Sequence, residues 1–408
     1  MLVAGQPPGP AATFLPFCVI ARHDARSSGV TSLAPPCADP TVDVPSASVV
    51  ERPRLRMVAL VPAHDEAAGI GATIEALLAQ TRLLDEIVVI GDNCTDDTVT
   101  IARRYPVTVI ETAGNQHRKS GALNMAWRRF ATDADIVVTV DADTELDPNA
   151  VADWEAEFQA DPSLGGSTAK FTMRPGKGML LRWQRFEFAT SVDVALRRGS
   201  TSVLAGAGAA LRNEALRNVM ERGDREGPWT YASTVEDFEL THRLRELGWA
   251  CRTSPTIRAF TDPMPSVSAL WGQRLKWSSG TAEDLMSFGL TRLTFLAWCQ
   301  QAAGMLAVMT RILWVVVTIW AFMLGAGGFN PLWLLLPAIT ITLSVKRAVR
   351  IPHRDWRDIA LAALVVPQEV YSWLQVGWFA SSWWRVLAAR VTRRRPDYWA
   401  VQYRAERG

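Results

Sequence analysis

Residues 57–66 read Met57-Val58-Ala59-Leu60-Val61-Pro62-Ala63-His64-Asp65-Glu66, and the change of character inside them decides the fold. The unbroken apolar run before Pro62 suits a strand buried on both faces, as in a parallel sheet covered by helices. Ionisable side chains follow it at once. Residues 67–80 then carry helical spacing (Ile70, Ile74, Leu77, Leu78), and 86–90 form a second buried strand. A polar turn leads to a helix over about 96–104, a strand over 107–110, a helix over 118–130, and a strand over 136–140 that ends directly in Asp141. Strands alternating with helices at this spacing predict an α/β domain with a mostly parallel sheet.

In such sheets ligands bind at the carboxyl ends of the strands. Those ends carry His64-Asp65-Glu66, then Asp92, then Asp141-Ala142-Asp143. Two carboxylates one residue apart can face a divalent cation, Mg²⁺ or Mn²⁺, that bridges a diphosphate. Asp96 is a natural helix N-cap, whereas Asp92 precedes the cap by four residues and could accept hydrogen bonds from a nucleobase or ribose. His117-Arg118-Lys119-Ser120 places basic and imidazole groups at a helix start, where charge and backbone N–H groups together suit a diphosphate. No Gly-x-Gly-x-x-Gly follows the first strand, so a dinucleotide oxidoreductase is excluded.

Outside this region the composition changes. Residues 1–53 hold nine of the 23 prolines and are expected to be a disordered tail. Five cysteines without a CxxC pair argue against a disulfide framework or a cysteine-based zinc site. The net charge of +2 calls for no nucleic acid. After about Phe295 come three uncharged or nearly uncharged stretches, 312–328, 331–345 and 359–380, with basic loops and Trp at their ends, which predicts a multi-pass membrane region. Positive-inside logic wants the catalytic domain, the 346–357 loop and the Arg393-Arg394-Arg395 tail all cytoplasmic, and three full spans do not allow that. Either the Pro367-broken third stretch lies partly in the interface, or 293–309 adds a membrane element.

Six segments, in order, resemble the motifs of family 2 glycosyltransferases of the GT-A fold. They are Val61-Pro62-Ala63-His64-Asp65-Glu66; the Asp92 segment, with Gly91 where many members have Asp; Lys119-Ser120-Gly121-Ala122-Leu123-Asn124; Asp141-Ala142-Asp143; Val235-Glu236-Asp237-Phe238-Glu239-Leu240; and Gln273-Arg274-Leu275-Lys276-Trp277. The last is similar to the QRxRW motif of processive members, with Lys276 for the second Arg.

The resemblance implies a Rossmann-like GT-A catalytic domain over 54–290. Interfacial and transmembrane helices over 291–384 and a basic tail over 385–408 follow from the apolar and basic patterning. It further implies a metal-dependent, inverting hexosyltransferase at the cell membrane. Ala63, Glu66, Asp92, Lys119, Asp141, Gln273, Arg274 and Trp277 would bind the nucleotide sugar. Asp143 with Asp141 would hold the metal, Asp237 would be the catalytic base, and Glu236 would tune it. Gly206-Ala207-Gly208 reads as a close backbone wall near the acceptor or as a simple turn.

The implied reaction moves a sugar from a UDP-type donor to a hydroxyl and builds a β-linked polysaccharide, as in poly-N-acetylglucosamine-like or hyaluronan-like synthases. Single-sugar transfer to a lipid or protein is the alternative, and a non-catalytic nucleotide-binding scaffold a minor one. An accessory or export subunit is left open as a partner.

Overall fold

The computed structural model describes residues 53–325, 328, 335–393 and 397–406. The expected tail over 1–53 lies outside them except for Pro53, as do Arg394 and Arg395. The strands are β1 (Met57–Ala63), β2 (Glu86–Gly91), β3 (Thr108–Glu111), β4 (Ile136–Thr139), β5 (Glu145–Leu146), β6 (Leu164–Met173), β7 (Ala209–Arg212) and β8 (Ala250–Thr261). The helices of the same domain are α1 (Ile70–Leu78), α2 (Thr98–Ala102), α3 (Arg118–Ala126, continued by a π-helical turn Trp127–Ala131), α4 (Ala150–Ala160), α5 (Met179–Arg198), α6 (Asn213–Met220), α7 (Glu236–Glu246) and α8 (Val267–Phe288).

All eight strands form one sheet in the order β3-β2-β1-β4-β7-β6-β8-β5. The half built from β3, β2, β1 and β4 is parallel. β7 enters antiparallel to both β4 and β6, β6 and β8 run parallel, and β5 closes the edge antiparallel. This is a Rossmann-like GT-A sheet, mixed but mostly parallel.

The opening apolar run explains itself in this setting. Met57, Ala59, Val61 and Ala63 point into one hydrophobic core, and Val58 and Leu60 into the other. A strand whose successive side chains enter opposite cores must be apolar throughout. β2 and β4 divide the same way, Val89 and Val138 to one side, Val88 and Val137 to the other.

Four more helices are described, α9 (Phe295–Met323), α10 (Leu335–Ala348), α11 (Trp356–Ala363) and α12 (Val365–Thr392), before a terminal α13 (Tyr398–Glu406). α9 is long and apolar enough to cross a membrane, and none of its side chains is buried in the protein. It joins 293–309 to 312–323, which the sequence presented as separate because Arg311 lies between them. That charge is met inside the protein: Arg311 pairs with Glu369 of α12 at 2.9 Å. Thus the ionic interruptions of two apolar stretches answer one another.

The third stretch is divided between α11 and α12, which are bent by 78° at the break between them and together are apolar enough for a broken span or a re-entrant loop. Pro367 sits in the first turn of α12, where a missing N–H leaves no helical bond unmade, so the helix starts just upstream of it. Tyr371 and Trp378 of α12 join Trp183 of α5 and Leu270 of α8 in a common cluster, which seats α12 on the α/β domain. Residues 385–392, read from the sequence as the start of a basic tail, continue α12, and 398–406 form α13, which packs on α8.

Candidate active site

The carboxyl ends of β1, β2 and β4 open into one crevice that α3, α7 and α8 close. On the β2 side, Asp92 is 6% exposed and is held by three donors. Thr112 Oγ1 at 2.7 Å, Asn115 Nδ2 at 2.8 Å and Asn93 Nδ2 at 3.3 Å all donate to its Oδ1. Its backbone carbonyl meets His64 Nδ1 at 2.6 Å, tying the end of β2 to the end of β1. A Cβ on Gly91 would lie 2.5 Å from Val99, so the departure from the family pattern has a packing reason. α2 leans on the strand end too closely for a side chain there.

Asp65 accepts from the Thr95 backbone N–H at 2.6 Å, and Asp96 accepts from the Ala67 N–H at 3.0 Å. With Cys94 they form a cluster of metal-ligating atoms. Both carboxylates are nonetheless spent on bracing the two loops against each other. The Glu66 backbone N–H donates to Thr98 Oγ1 at 2.7 Å in the same network, and Ala63 ends β1 fully buried.

At the end of β4 the turn Asp141-Ala142-Asp143 is fixed from below. Thr73 Oγ1 donates to the Ala142 carbonyl at 2.8 Å, and Gly69 leaves room for the turn to lie against the start of α1. The Asp143 carboxylate accepts from Thr261 Oγ1 at 2.9 Å and Thr144 Oγ1 at 3.1 Å. Burial, with the charge of Asp141 behind it, pushes the Asp143 carboxyl above the usual range. Two crowded carboxylates of this kind fit a divalent cation, whose charge would relieve both terms.

Lys119, from the first turn of α3, forms an ion pair with Asp141 and lies 3.7 Å from Glu236 Oε1. Burial is the largest influence on its ammonium and works against the charge. Asp141 and Glu236 overcome it and hold the pKa above the ordinary lysine value. Gly206 packs directly on this pair, since a Cβ there would stand 2.4 Å from Lys119 Nζ and 3.3 Å from Asp141 Oδ1. Gly206 thus lies beside the cation, whereas Gly208 packs against Leu146 and Ala259.

Glu236 and Asp237 open α7, Glu236 buried and Asp237 half-buried. The Phe238 N–H donates to Asp237 Oδ1 at 2.8 Å. Burial first and the adjacent Glu236 second push the Asp237 carboxyl up to about 6, against the opposing pull of Lys119. A carboxylate so placed is poised to take a proton near neutral pH.

α8 divides its motif between two duties. Lys276 is buried, and its Nζ stands 3.3 Å from the centroid of the Trp399 ring. Glu236, Asp141 and Asp237 favour its charge from a distance. Burial dominates and pulls the pKa down to about 8. Arg274 faces away from the carboxylates. It pairs with Glu187 of α5 at 3.1 Å, packs over Trp277 and Phe188, and bonds Gln273 Oε1. Trp277 is wedged between Met173, Leu181 and Phe188 on one side and Val235 and Phe238 on the other.

Sequence reasoning missed the groups that hold these side chains, Thr112 and Asn115 on Asp92 and Thr261 on Asp143, which carry no pattern of their own. It also missed α13. His117 of the α3 start stacks on Tyr231 at 3.9 Å. Between them and α13 remains a cavity of about 180 Å³ that Arg118, Lys119, Glu236 and Trp399 help to line. The aromatic pattern Tyr398-Trp399…Tyr403 was the available signal.

Residues 58–220 match the family described as glycosyl transferase family 2. Among curated proteins the chain is similar to the poly-beta-1,6-N-acetyl-D-glucosamine synthases of Staphylococcus aureus and Staphylococcus epidermidis. The identities are 24% over 234 residues and 23% over 235, each covering 56% of this chain and 55% of the relative. The chain thus spans about half the length of the curated relatives it matches. Among solved structures it resembles a mannosyltransferase from Pyrobaculum calidifontis in complex with GDP-Man and Mn²⁺. The TM-score is 0.55 at 19% identity, over 82% of this chain and 87% of the other, a likeness of fold.

Proposed function

We propose that the family 2 glycosyl transferase domain of this chain moves a sugar, with inversion, from a nucleotide diphosphate donor of the UDP type to a hydroxyl acceptor, building a β-linked polysaccharide beside the membrane. The observation that carries this reading is the meeting of Asp141, Lys119, Glu236 and Asp237 at the strand ends. Three elements distant in sequence contribute one cation and several carboxylates to one point, and the carboxylate expected to act as base is the one held near pH 6.

In this scheme Asp92, gripped through Oδ1, faces the base or ribose of the donor. Asp141 and Asp143 would hold Mn²⁺ or Mg²⁺, which would supply positive charge to the departing diphosphate. Lys119 adds a second positive charge at the α3 N-terminus, where the helix start also favours anions. Asp237 accepts the proton of the acceptor hydroxyl as its oxygen bonds to the anomeric carbon. The bond from that carbon to the donor phosphate oxygen breaks, and the nucleoside diphosphate leaves with the electron pair. Arg274 serves as a positioning residue, fixing α8 and Trp277 through Glu187, so that Trp277 and Gln273 flank the acceptor.

The names of the staphylococcal relatives support a polymer of N-acetylglucosamine type. A second reading, single transfer to a lipid or protein, is favoured by the membrane region: among the described residues one helix passes as a span, or two if the bent α11–α12 pair counts as one. In either reading the chain sits at the cell membrane with its catalytic domain cytoplasmic. Incubating membranes that contain the protein with Mn²⁺ or Mg²⁺ and a panel of labelled nucleotide sugars separates the two. Label in a high-molecular-weight product from one UDP-sugar supports polymer synthesis. Label confined to lipid or protein overturns it in favour of single transfer.

A further inference from the structure

α13 lies across the mouth of the crevice and engages the groups that an anionic nucleotide would seek. Asp397, the residue before it, offers its carboxylate to the Arg118 guanidinium at the start of α3. Trp399 covers the Lys276 ammonium and also lies 5.8 Å from the Arg118 guanidinium. Tyr403 rests 5.1 Å from the ring of His64, the imidazole that follows β1. One short segment therefore supplies an anion to the α3 cation, an indole to the buried lysine and a phenol to the base-side histidine.

Beside it a pocket of about 180 Å³ is lined on the α3 side by Arg118 and Lys119 and on the other by Asp397 and Trp399, so the segment forms one wall of the space next to these cations. α13 is also suited to leaving. Nine residues are too few to hold a helix without a partner surface, so its helicity depends on docking. It packs closely on Gly272 of α8, where a Cβ would lie 3.0 Å from Ala405 and 3.3 Å from the Gln402 backbone.

We propose that α13 is an internal competitor of the donor, a C-terminal lid in which Asp397 and Trp399 occupy the contacts of the nucleoside diphosphate. The donor enters as the lid leaves, exposing Arg118 and Lys276 together. This rests on the crevice being a nucleotide-sugar site. It is distinct from that reading because a lid that merely completed the site would strengthen donor binding, whereas a competitor weakens it.

The test uses the full chain and two variants, Trp399→Ala, which removes the indole, and Gly272→Leu, which unseats α13 from outside the crevice. UDP and GDP binding in Mn²⁺ is measured by calorimetry, and amide exchange of 397–406 is followed with and without nucleotide. If the lid is closed about nine-tenths of the time, both variants bind about tenfold more tightly. Exchange over 397–406 in the wild type then rises when nucleotide is added. Equal or weaker binding in both variants, or protection of 397–406 by nucleotide, overturns the lid. No binding to any of the three proteins overturns the donor-site reading and the lid with it.

Discussion

Two lysines approach the same carboxylates from opposite sides, and the protein treats them in opposite ways. Lys119, on the α3 side, is paired with Asp141, lies near Glu236, and holds its proton more firmly than a lysine in water. Lys276, on the α8 side, is covered by an indole, and burial has pulled its pKa down to about 8. The first side carries its own counter-ions and is scaffold as much as site. The second holds a buried charge covered by an indole, which an anionic ligand would reach once α13 moves aside.

The strongest way to break this contrast is to remove each ammonium in turn. Lys119→Met leaves Asp141 and Glu236 without their cation, a loss of the order of 1 kcal/mol for a partly exposed pair. Its thermal midpoint should fall and transfer should drop by about a hundredfold or more, the scale of losing a preorganised charge in a site. Lys276→Met should behave differently. The folded-state pKa of about 8 lies below the ordinary lysine value, so the unfolded chain binds more protons between the two and stability rises with pH through that window. Below pH 8 the charge is a cost, and its removal should leave the midpoint unchanged or raised. Nucleotide affinity should fall by about tenfold, the scale of one charge-assisted hydrogen bond. Equal destabilisation by the two substitutions would erase the distinction.

A smaller effect sharpens the same comparison. Asp237 works as a base only when deprotonated, so transfer should decline as pH falls through about 6, where an ordinary aspartate would place that limb near 4. Glu236→Gln removes a like charge from its neighbour, and the acid limb should move to lower pH. A limb that stays in place in a pH–rate profile would mean that Glu236 does not tune the base.

The two sides also differ in how far the sequence disclosed them. The strand-end side was readable because its chemistry coincides with local pattern. Apolar runs that must feed two cores end abruptly in Asp, so Asp92 and Asp141 announce themselves, and Lys119 stands out in the basic start of α3. The α8 side depends on contacts between segments far apart in sequence, 87 residues for Arg274 with Glu187 and more for Lys276 with Trp399. Nothing local in Gln273-Arg274-Leu275-Lys276-Trp277 indicates that Arg274 turns to Glu187 while Lys276 turns to Trp399. The membrane region was obscured for a related reason. Arg311 and Glu369 each interrupt an apolar stretch, and only their pairing reveals that α9 continues through the charge.

The most direct test is Asp237→Asn, with nucleotide affinity and sugar transfer measured on one preparation. The structure leads us to expect affinity within about threefold of wild type and transfer reduced by about a thousandfold, as for loss of a general base. Retained transfer in the variant would contradict the assignment of Asp237 and, with it, the account of this crevice as the site where the acceptor is activated.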